Sequence, residues 1–451
     1  METDAQLTRL GLFDARVPRY TSYPTAPQFA GGVTPEVFES WIAAIPEGAA
    51  ISLYLHVPFC RRLCWFCACR TQGTSTLDPV LAYVETLKAE IALLARLLPR
   101  GVTLSRLHWG GGTPTLLPAD QIRDLADTIL AVMPMAEEGE FSVEIDPNEV
   151  DDARLDALAA AGMNRASIGV QDFDPQIQAT IGREQSYELT REVADKIRDR
   201  GVRSLNADIL YGLPHQTPQK IADSVQKLLS LSPDRVALYG YAHVPWMSRR
   251  QQMIPSDAMP TPEERLRLFG VARQLFAWDG YREIGIDHFA RAEDGLAVAQ
   301  QLGRLRRNFQ GYTDDTSEVL VGLGASSISR FPQGYAQNAS ATAAHTKAIR
   351  EGRFSTHRGH VFAGEDLLRG RIIEALMCDF AVDRTELLRD FGVTAARVDA
   401  LFRDAAAGFE DLVRVTDGVL TISGKGRPLT RMIARAFDAY DQSKAQHSAA
   451  V

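Results

Sequence analysis

No uncharged apolar run in the chain approaches the ~18 residues that a membrane span requires, so no membrane association is expected. Positive charge is not in excess either: 49 Lys and Arg stand against 57 Asp and Glu, a formal net charge of −8. Without a bulk positive field nothing draws nucleic acid or anionic lipid, and a polyanionic substrate would need a local basic cluster. The opening Met1-Glu2-Thr3-Asp4 is acidic and lacks the basic and apolar regions of a signal peptide; a soluble, cytoplasmic protein is expected. Low-complexity segments are missing. Cysteine is scarce, five in 451 residues, and four of the five (Cys60, Cys64, Cys67 and Cys69) crowd into ten residues, with Cys378 distant. A secreted disulfide scaffold would spread its cysteines to close loops. This cluster is a ligand set or a redox site in a reducing compartment.

What is present is an ordinary globular balance, 45% hydrophobic and 24% charged. The length suits roughly three domains, or one large α/β domain with an appendage. An opening segment rich in proline and aromatics, including Arg19-Tyr20-Thr21-Ser22-Tyr23-Pro24, reads as an extended arm over residues 1–49. From Ala50, short β-branched and aromatic runs alternate with helical stretches. The runs are Ile51–Val57, Leu104–Trp109, Phe141–Ile145, Ala166–Val170, Leu205–Tyr211 and Val236–Ala242. Between the first two, Val84, Leu87, Ile91, Leu94 and Leu98 recur at helical spacing; Asp120–Val132 and Glu188–Arg200 look similar. Six strand–helix units in succession predict a parallel sheet whose functional residues lie at the carboxyl ends of its strands. Periodicity does not decide between a barrel and an open sheet. This catalytic unit is assigned to 50–362.

After Gly364 the pattern changes. Helical segments near 365–377, 384–390 and 394–407 precede a hairpin, Val413–Ile422, with Asp417-Gly418 as its turn. Three helices and a hairpin resemble a winged helix, but from Val393 to Arg431 six Lys and Arg face five Asp and Glu, a poor phosphate footprint. Residues 363–451 are therefore expected to form a mainly helical domain covering the catalytic sheet, without nucleic acid.

The sharpest motif is Cys60-Arg61-Arg62-Leu63-Cys64-Trp65-Phe66-Cys67, a C-x3-C-x2-C loop directly after a strand. Three close thiolates suit three corners of a cubane iron–sulfur cluster and leave one iron open, where a closed electron-transfer cluster wants four cysteines. Structural zinc normally takes two ligand pairs separated by a longer insert.

With Phe66 before the last cysteine, this loop resembles that of the radical S-adenosylmethionine (SAM) superfamily. The chain is more closely similar to the oxygen-independent coproporphyrinogen III oxidases within it. The matching stretches include the Arg19–Ala26 arm, Cys69, His108–Thr115, Val143–Pro147, Asn164–Phe173, Asp208–Pro214, Asp287–Ala290, Arg307–Tyr312 and Gly322–Ser326. Asn often follows the fourth cysteine in that family; here it is Arg70. The resemblance implies an α/β fold, a partial (β/α)6 barrel with an N-terminal arm and a C-terminal mainly helical domain. It implies that Cys60, Cys64 and Cys67 hold a [4Fe-4S] cluster and that two SAM molecules bind per chain. Tyr54, Phe66, Gly111, Glu144 and Ile328 would contact the first, and Gly112, Thr113, Gln171, Arg183, Asp208 and Ala242 the second. Plainer readings of single residues are a tight turn for Gly110–Gly112, core for Ile328, a solvated charge for Arg183 and strand-end groups for Glu144 and Asp208.

The implied reaction is anaerobic oxidative decarboxylation of two propionates of coproporphyrinogen III to vinyl groups, giving protoporphyrinogen IX in haem biosynthesis, by a 5′-deoxyadenosyl radical. A low-potential donor such as a flavodoxin or ferredoxin, and a monomeric state, are family expectations. No histidine is assigned a catalytic role. Arg16, Arg19, Tyr20, Tyr23, Arg304, Arg306 and Arg307 are candidates for meeting the propionates. Two alternatives from the same superfamily are a haem-binding chaperone and a haem-degrading methyltransferase. Such chaperones typically lack the cysteine at Cys69 and the arm, both present here.

Overall fold

Each of the six runs forms a strand of one sheet in the computed structural model, which describes residues 2–441 and 448–451. Met1 of the acidic start and part of the predicted C-terminal domain lie outside the described residues. The strands are β1 (Ala50–Val57), β2 (Thr103–Gly111), β3 (Met135–Ile145), β4 (Arg165–Gln171), β5 (Ser204–Tyr211) and β6 (Arg235–Gly240). They lie side by side in sequence order and all run parallel. The sixth ends at Gly240, two residues short of the predicted run.

Helices make the crossovers, as parallel pairing demands. Asp78–Leu97 joins β1 to β2, Ala119–Val132 joins β2 to β3 and Asp152–Ala160 joins β3 to β4. Tyr187–Asp199 and Pro218–Ser230 make the next two. Several start where the sequence caps them: the side chains of Asp151, Ser186 and Thr217 accept from the main-chain N–H three residues on. Between sheet and helices lies the main core, where Trp109 meets Phe141 edge-on at 5.3 Å.

The sheet goes further than the six units. Leu320–Leu323 adds in parallel beside β1, and Ile328–Phe331, Gly334–Asn338 and Thr356–Val361 follow antiparallel. His288–Ala290 and Arg282–Ile284 extend the β6 edge. The twelve strands form a linear order, so among the described residues the barrel is partial and does not close. None of the described helices is long and apolar enough to cross a membrane.

A second core gathers the helices Asp366–Asp379, Arg384–Phe391 and Ala395–Ala407 with the strands Val413–Thr416 and Val419–Ile422. Asp417 and Gly418 both take left-handed backbone (φ 53° and 81°) at the hairpin turn. A third strand, Ala381–Asp383, pairs with the hairpin. Leu7, Leu12, Tyr20 and Tyr23 of the arm are buried in this same core, whereas Val33, Phe38, Trp41 and Ile42 of its second half join the main core.

Candidate active site

The cysteine loop leaves β1 through Pro58 and is pinched at its base. Phe59 and Cys60 pair with Gln72 and Gly73, and Gln72 N–H donates to Pro58 O at 2.7 Å. Its far side is tied to the β4–β5 connection, where Trp65 N–H donates to Ile181 O at 2.8 Å. Trp65 lies against Gly182, where an added Cβ would sit 2.9 Å from the indole.

Cys60, Cys64 and Cys67 are half-buried free thiols, and Cys69 is exposed. Burial pushes Cys60 up to about 11, with Cys67 and Cys64 adding to the rise. Burial also raises Cys64, against the pull of the Arg183 cation. Cys67 is drawn down to about 6 by a hydrogen bond with Cys69, whose own thiol rises in exchange. Among the described residues no three His, Cys, Asp or Glu side chains converge on a single metal ion. Three separate thiols that sense one another on a loop pinned at both ends fit a cluster, in which each sulfur takes its own iron.

Below the loop runs Gly110-Gly111-Gly112. An added Cβ would stand 2.7 Å from Glu144 Oε1 at Gly110, 2.5 Å from the His56 ring at Gly111, and 2.5 Å from Phe59 O at Gly112. Gly112 N–H donates to Val57 O and Thr113 N–H to Phe59 O, each at 2.8 Å. The strand end and the cysteine loop are therefore stitched together main chain to main chain, with no room for a side chain. Thr113 is buried, and its side chain works against the rise of the Cys60 thiol.

Tyr54, Gly111 and Glu144 come together through two histidines. Glu144 accepts from Gly111 N–H at 3.0 Å and lies 3.3 Å from His108 Nε2. Burial opposes its charge, yet the bonds from His108 and Gly111 hold its carboxyl below the ordinary range. Tyr54 stacks on His108 at 5.7 Å and lies 3.0 Å from His56 Nδ1. His56 Nε2 is 3.1 Å from Arg70 O. A carbonyl can only accept, so Nε2 carries the hydrogen and Nδ1 accepts from the Tyr54 hydroxyl. Position 70 thus contributes its main chain, which its side-chain identity does not change. Ile328 lies beside Gly322, the register partner of Tyr54.

Gln171 ends β4 with left-handed backbone, φ 68°, and its amide would contact a Cβ on Gly169 at 2.9 Å. The Arg183 fork, whose plainer sequence reading is a solvated charge, is bidentate on Asp146, at 3.1 and 3.2 Å. Arg183 also donates to Gly169 O and to Cys64 Sγ, and its buried Nε has no partner among the described residues. Asp208 accepts from Asn206 at 2.8 Å, and burial pushes its carboxyl up to about 6. Ala242 is joined to Phe66 by the fully buried Gln251, whose amide donates to both carbonyls at 3.0 and 2.8 Å. Gln251 was not singled out from the sequence, where a glutamine beyond a strand carries no signal. Asp146 was legible only as part of the Val143–Pro147 stretch.

Of the basic and aromatic candidates, Tyr20, Tyr23, Arg306 and Arg307 line one cavity of about 460 Å³, and Arg16, Arg19 and Arg304 do not. Arg16 lies over Trp246, Tyr20 donates to Asp438, Tyr23 accepts from Ala439 N–H, and Arg304 is exposed. Arg306 lies 3.9 Å from Glu374. Of the seven, Arg19 and Arg307 stay close to Asp287, the partner of His288.

Residues 54–228 match the model of the Radical SAM superfamily. Over 451 residues, all of both chains, the sequence is 67% identical to an oxygen-independent coproporphyrinogen III oxidase from Paracoccus denitrificans. It is 62% identical to one from Cereibacter sphaeroides, over 98% of each chain. The solved coproporphyrinogen III oxidase from Escherichia coli, described as a radical SAM enzyme, superposes with a TM-score of 0.90 at 36% identity, covering 95% of this chain and 100% of that one. With its parallel sheet, its three-thiol loop and relatives matched end to end, the chain belongs to the oxygen-independent coproporphyrinogen III oxidase family of radical SAM enzymes.

Proposed function

We propose that this chain decarboxylates two propionates of coproporphyrinogen III oxidatively, without oxygen, to the vinyl groups of protoporphyrinogen IX. The observation that carries the reading is the trio of free thiols on a loop stitched to the Gly110–Gly112 floor. Membership of the radical SAM family implies a [4Fe-4S] cluster and SAM. Cys60, Cys64 and Cys67 would hold the cluster, which would supply the electron for reductive cleavage of SAM to methionine and a 5′-deoxyadenosyl radical.

The protein's part is to bind, orient and keep dry. Glu144, ionised and already aligned by Gly111 and His108, accepts from the first SAM. Tyr54 and Phe66 flank its base, Gly111 lets it approach the main chain, and Ile328 gives an apolar wall. Gly112, Thr113, Gln171, Arg183, Asp208 and Ala242 would hold a second SAM, one for each propionate. Because the Arg183 fork is engaged with Asp146, its contribution there is its remaining Nε and its positive charge. At each propionate the β-carbon would give up a hydrogen atom to the 5′-deoxyadenosyl radical, forming 5′-deoxyadenosine, and loss of CO2 with transfer of one electron to a separate one-electron acceptor would leave the vinyl. A flavodoxin- or ferredoxin-like donor, a cytoplasmic setting and a monomer complete the reading, with 1–49, 50–362 and 363–451 as arm, catalytic unit and C-terminal unit.

The test is an anaerobic assay of reconstituted protein with coproporphyrinogen III, SAM and a low-potential reductant. Vinyl product and 5′-deoxyadenosine are expected together; absence of both defeats the reading. A Cys64→Ala variant is expected to lose iron, and full iron content with full activity would remove that ligand.

A further inference from the structure

Beside Ala242, between the ends of β5 and β6 and the C-terminal unit, lies a cavity of about 520 Å³. Six guanidinium groups line it; Arg273 and Arg427 pair with Glu283, and the other four are Arg19, Arg265, Arg307 and Arg431. They come from four parts of the chain: the arm, the helix Pro262–Trp278, the strand Arg306–Asn308 and the helix Thr430–Arg435. Four cations converging from such distant positions are not an accident of local composition in an acidic protein.

Asp287 beside Arg307 and the carboxyl group of Val451 beside Arg265 offset only part of this charge. Arg19 donates to Gly240 O at 2.8 Å. Arg431 donates to the main-chain oxygens of Pro18, Ala449 and Ala450 at 3.0 to 3.2 Å, and to that of Val17. Arg265 donates to Gly212 O, Tyr241 O and Val451 O. Among the described residues the one side-chain carboxylate ion-paired with any of the four is Asp287, 3.7 Å from Arg307 Nη1. Arg307 is the clearest case: its side chain is 5% exposed, yet Nε and Nη1 have no hydrogen-bond partner among the described residues. A buried guanidinium with unused donors on a cavity wall is costly unless an anion completes it. Burial, with Arg19 nearby, pushes Arg431 down to about 9, which an incoming anion would reverse.

We infer that this cavity is a carboxylate-recognition subsite in which Arg265, Arg307 and Arg431, with Arg19 at the mouth, bind propionate groups of the substrate. The inference rests on the proposed function for the identity of the carboxylates. The placement suits it, because Ala242 lines the cavity and Gln251 ties Ala242 to Phe66 of the cysteine loop. Propionates anchored here would hold the tetrapyrrole against the strand ends where the chemistry is proposed.

The probe is coproporphyrin III, the stable oxidised tetracarboxylate, titrated by fluorescence quenching into the anaerobic, cluster-loaded protein, with its tetramethyl ester as the uncharged comparison. Losing one charge-assisted bond should weaken binding of the acid about 10- to 100-fold in Arg307→Gln and in Arg265→Gln. The Lys variants should recover part of it, and the ester should bind wild type and variants alike. Unchanged affinity in Gln variants that keep wild-type iron and circular dichroism overturns the subsite, as does wild-type protein that binds ester and acid equally. Should both buried variants misfold, the exposed Arg19→Gln is decisive on the same criterion. Wild-type turnover of coproporphyrinogen III separates the two readings. Turnover with unaltered variant affinities sinks the subsite alone, and arginine-dependent binding of the acid without turnover sinks the reaction and keeps the subsite.

Discussion

The main-chain N–H of Gly111 donates to Glu144 Oε2 at 3.0 Å, and the same carboxylate stands 2.7 Å from where a Cβ on Gly110 would lie. Glycines and acid therefore act as one unit, since a side chain at 110 would displace the acid that 111 aligns. At Gly111 the backbone is left-handed (φ 111°) and a Cβ would strike His56. Gly111→Ala is expected to cost about 1–3 kcal/mol of stability and to abolish most 5′-deoxyadenosine formation. Glu144→Gln keeps the shape and an acceptor, so its melting temperature should stay near wild type while SAM affinity falls. Thermal melts and isothermal titration with SAM check both.

Arg183 joins the Asp146 carboxylate to Cys64 of the loop. Both ends of its ion pair are largely shielded, at 10% and 21% exposure, so removing the cation leaves a poorly solvated carboxylate. Arg183→Ala is expected to lose about 3 kcal/mol, together with iron and SAM equivalents per chain. Lysine has the charge without the fork and should restore iron more than it restores SAM binding. Iron analysis and equilibrium dialysis with labelled SAM separate these effects.

How much of this was legible depended on whether a residue's partners lay near it in sequence. The six strand runs, the crossover helices and the Asp417-Gly418 turn are local patterns, and they were readable. So was the convergence of unusual residues on one end of the sheet, because parallel topology fixes where strand ends go. The mixed extension of the sheet was not, since strands of three to five residues such as His288–Ala290 carry too little periodicity. The ion pair of Arg183 was not legible because Asp146 is distant in sequence. Arg265 and Arg431 sit in helices, where an arginine ordinarily means a wetted face; only tertiary packing turns them toward a cavity. Glu90 is different. It falls three residues after Leu87 and one before Ile91, on the stripe already recognised as apolar, and its burial could have been read from that spacing.

Gln251 is fully buried and bonds three main-chain groups. Its amide nitrogen donates to Phe66 O and Ala242 O, and its carbonyl accepts from Val244 N–H at 2.5 Å. Gln251→Ala orphans all three, at a cost of about 2–4 kcal/mol. Gln251→Glu should be harsher on cluster retention than on fold, since a carboxylate accepts from Val244 but repels both carbonyls. Iron content set against the urea midpoint distinguishes the two.

Glu90 and His345 form a buried pair, 3.5 Å apart. Glu90 already accepts from Gly324 N–H at 2.7 Å and Asn338 at 2.9 Å, and burial pushes its carboxyl from 4.5 up to about 8. Burial pushes His345 down to about 4, so at neutral pH both are uncharged. Between about pH 4.5 and 8 the folded protein holds a proton at Glu90 that the unfolded chain has released. The stabilisation is thus fully present below the unfolded value and lost as pH rises through the folded one. His345 acts oppositely: its share is present above about pH 6.5 and is lost as pH falls toward 4. Glu90→Gln mimics the neutral acid and should flatten the decline between pH 5 and 8 by a few kcal/mol at most, while leaving the low-pH limb in place. Urea midpoints of wild type and variant at half-unit pH intervals give that difference directly, and a parallel pair of curves would show Glu90 to be ionised in the folded protein.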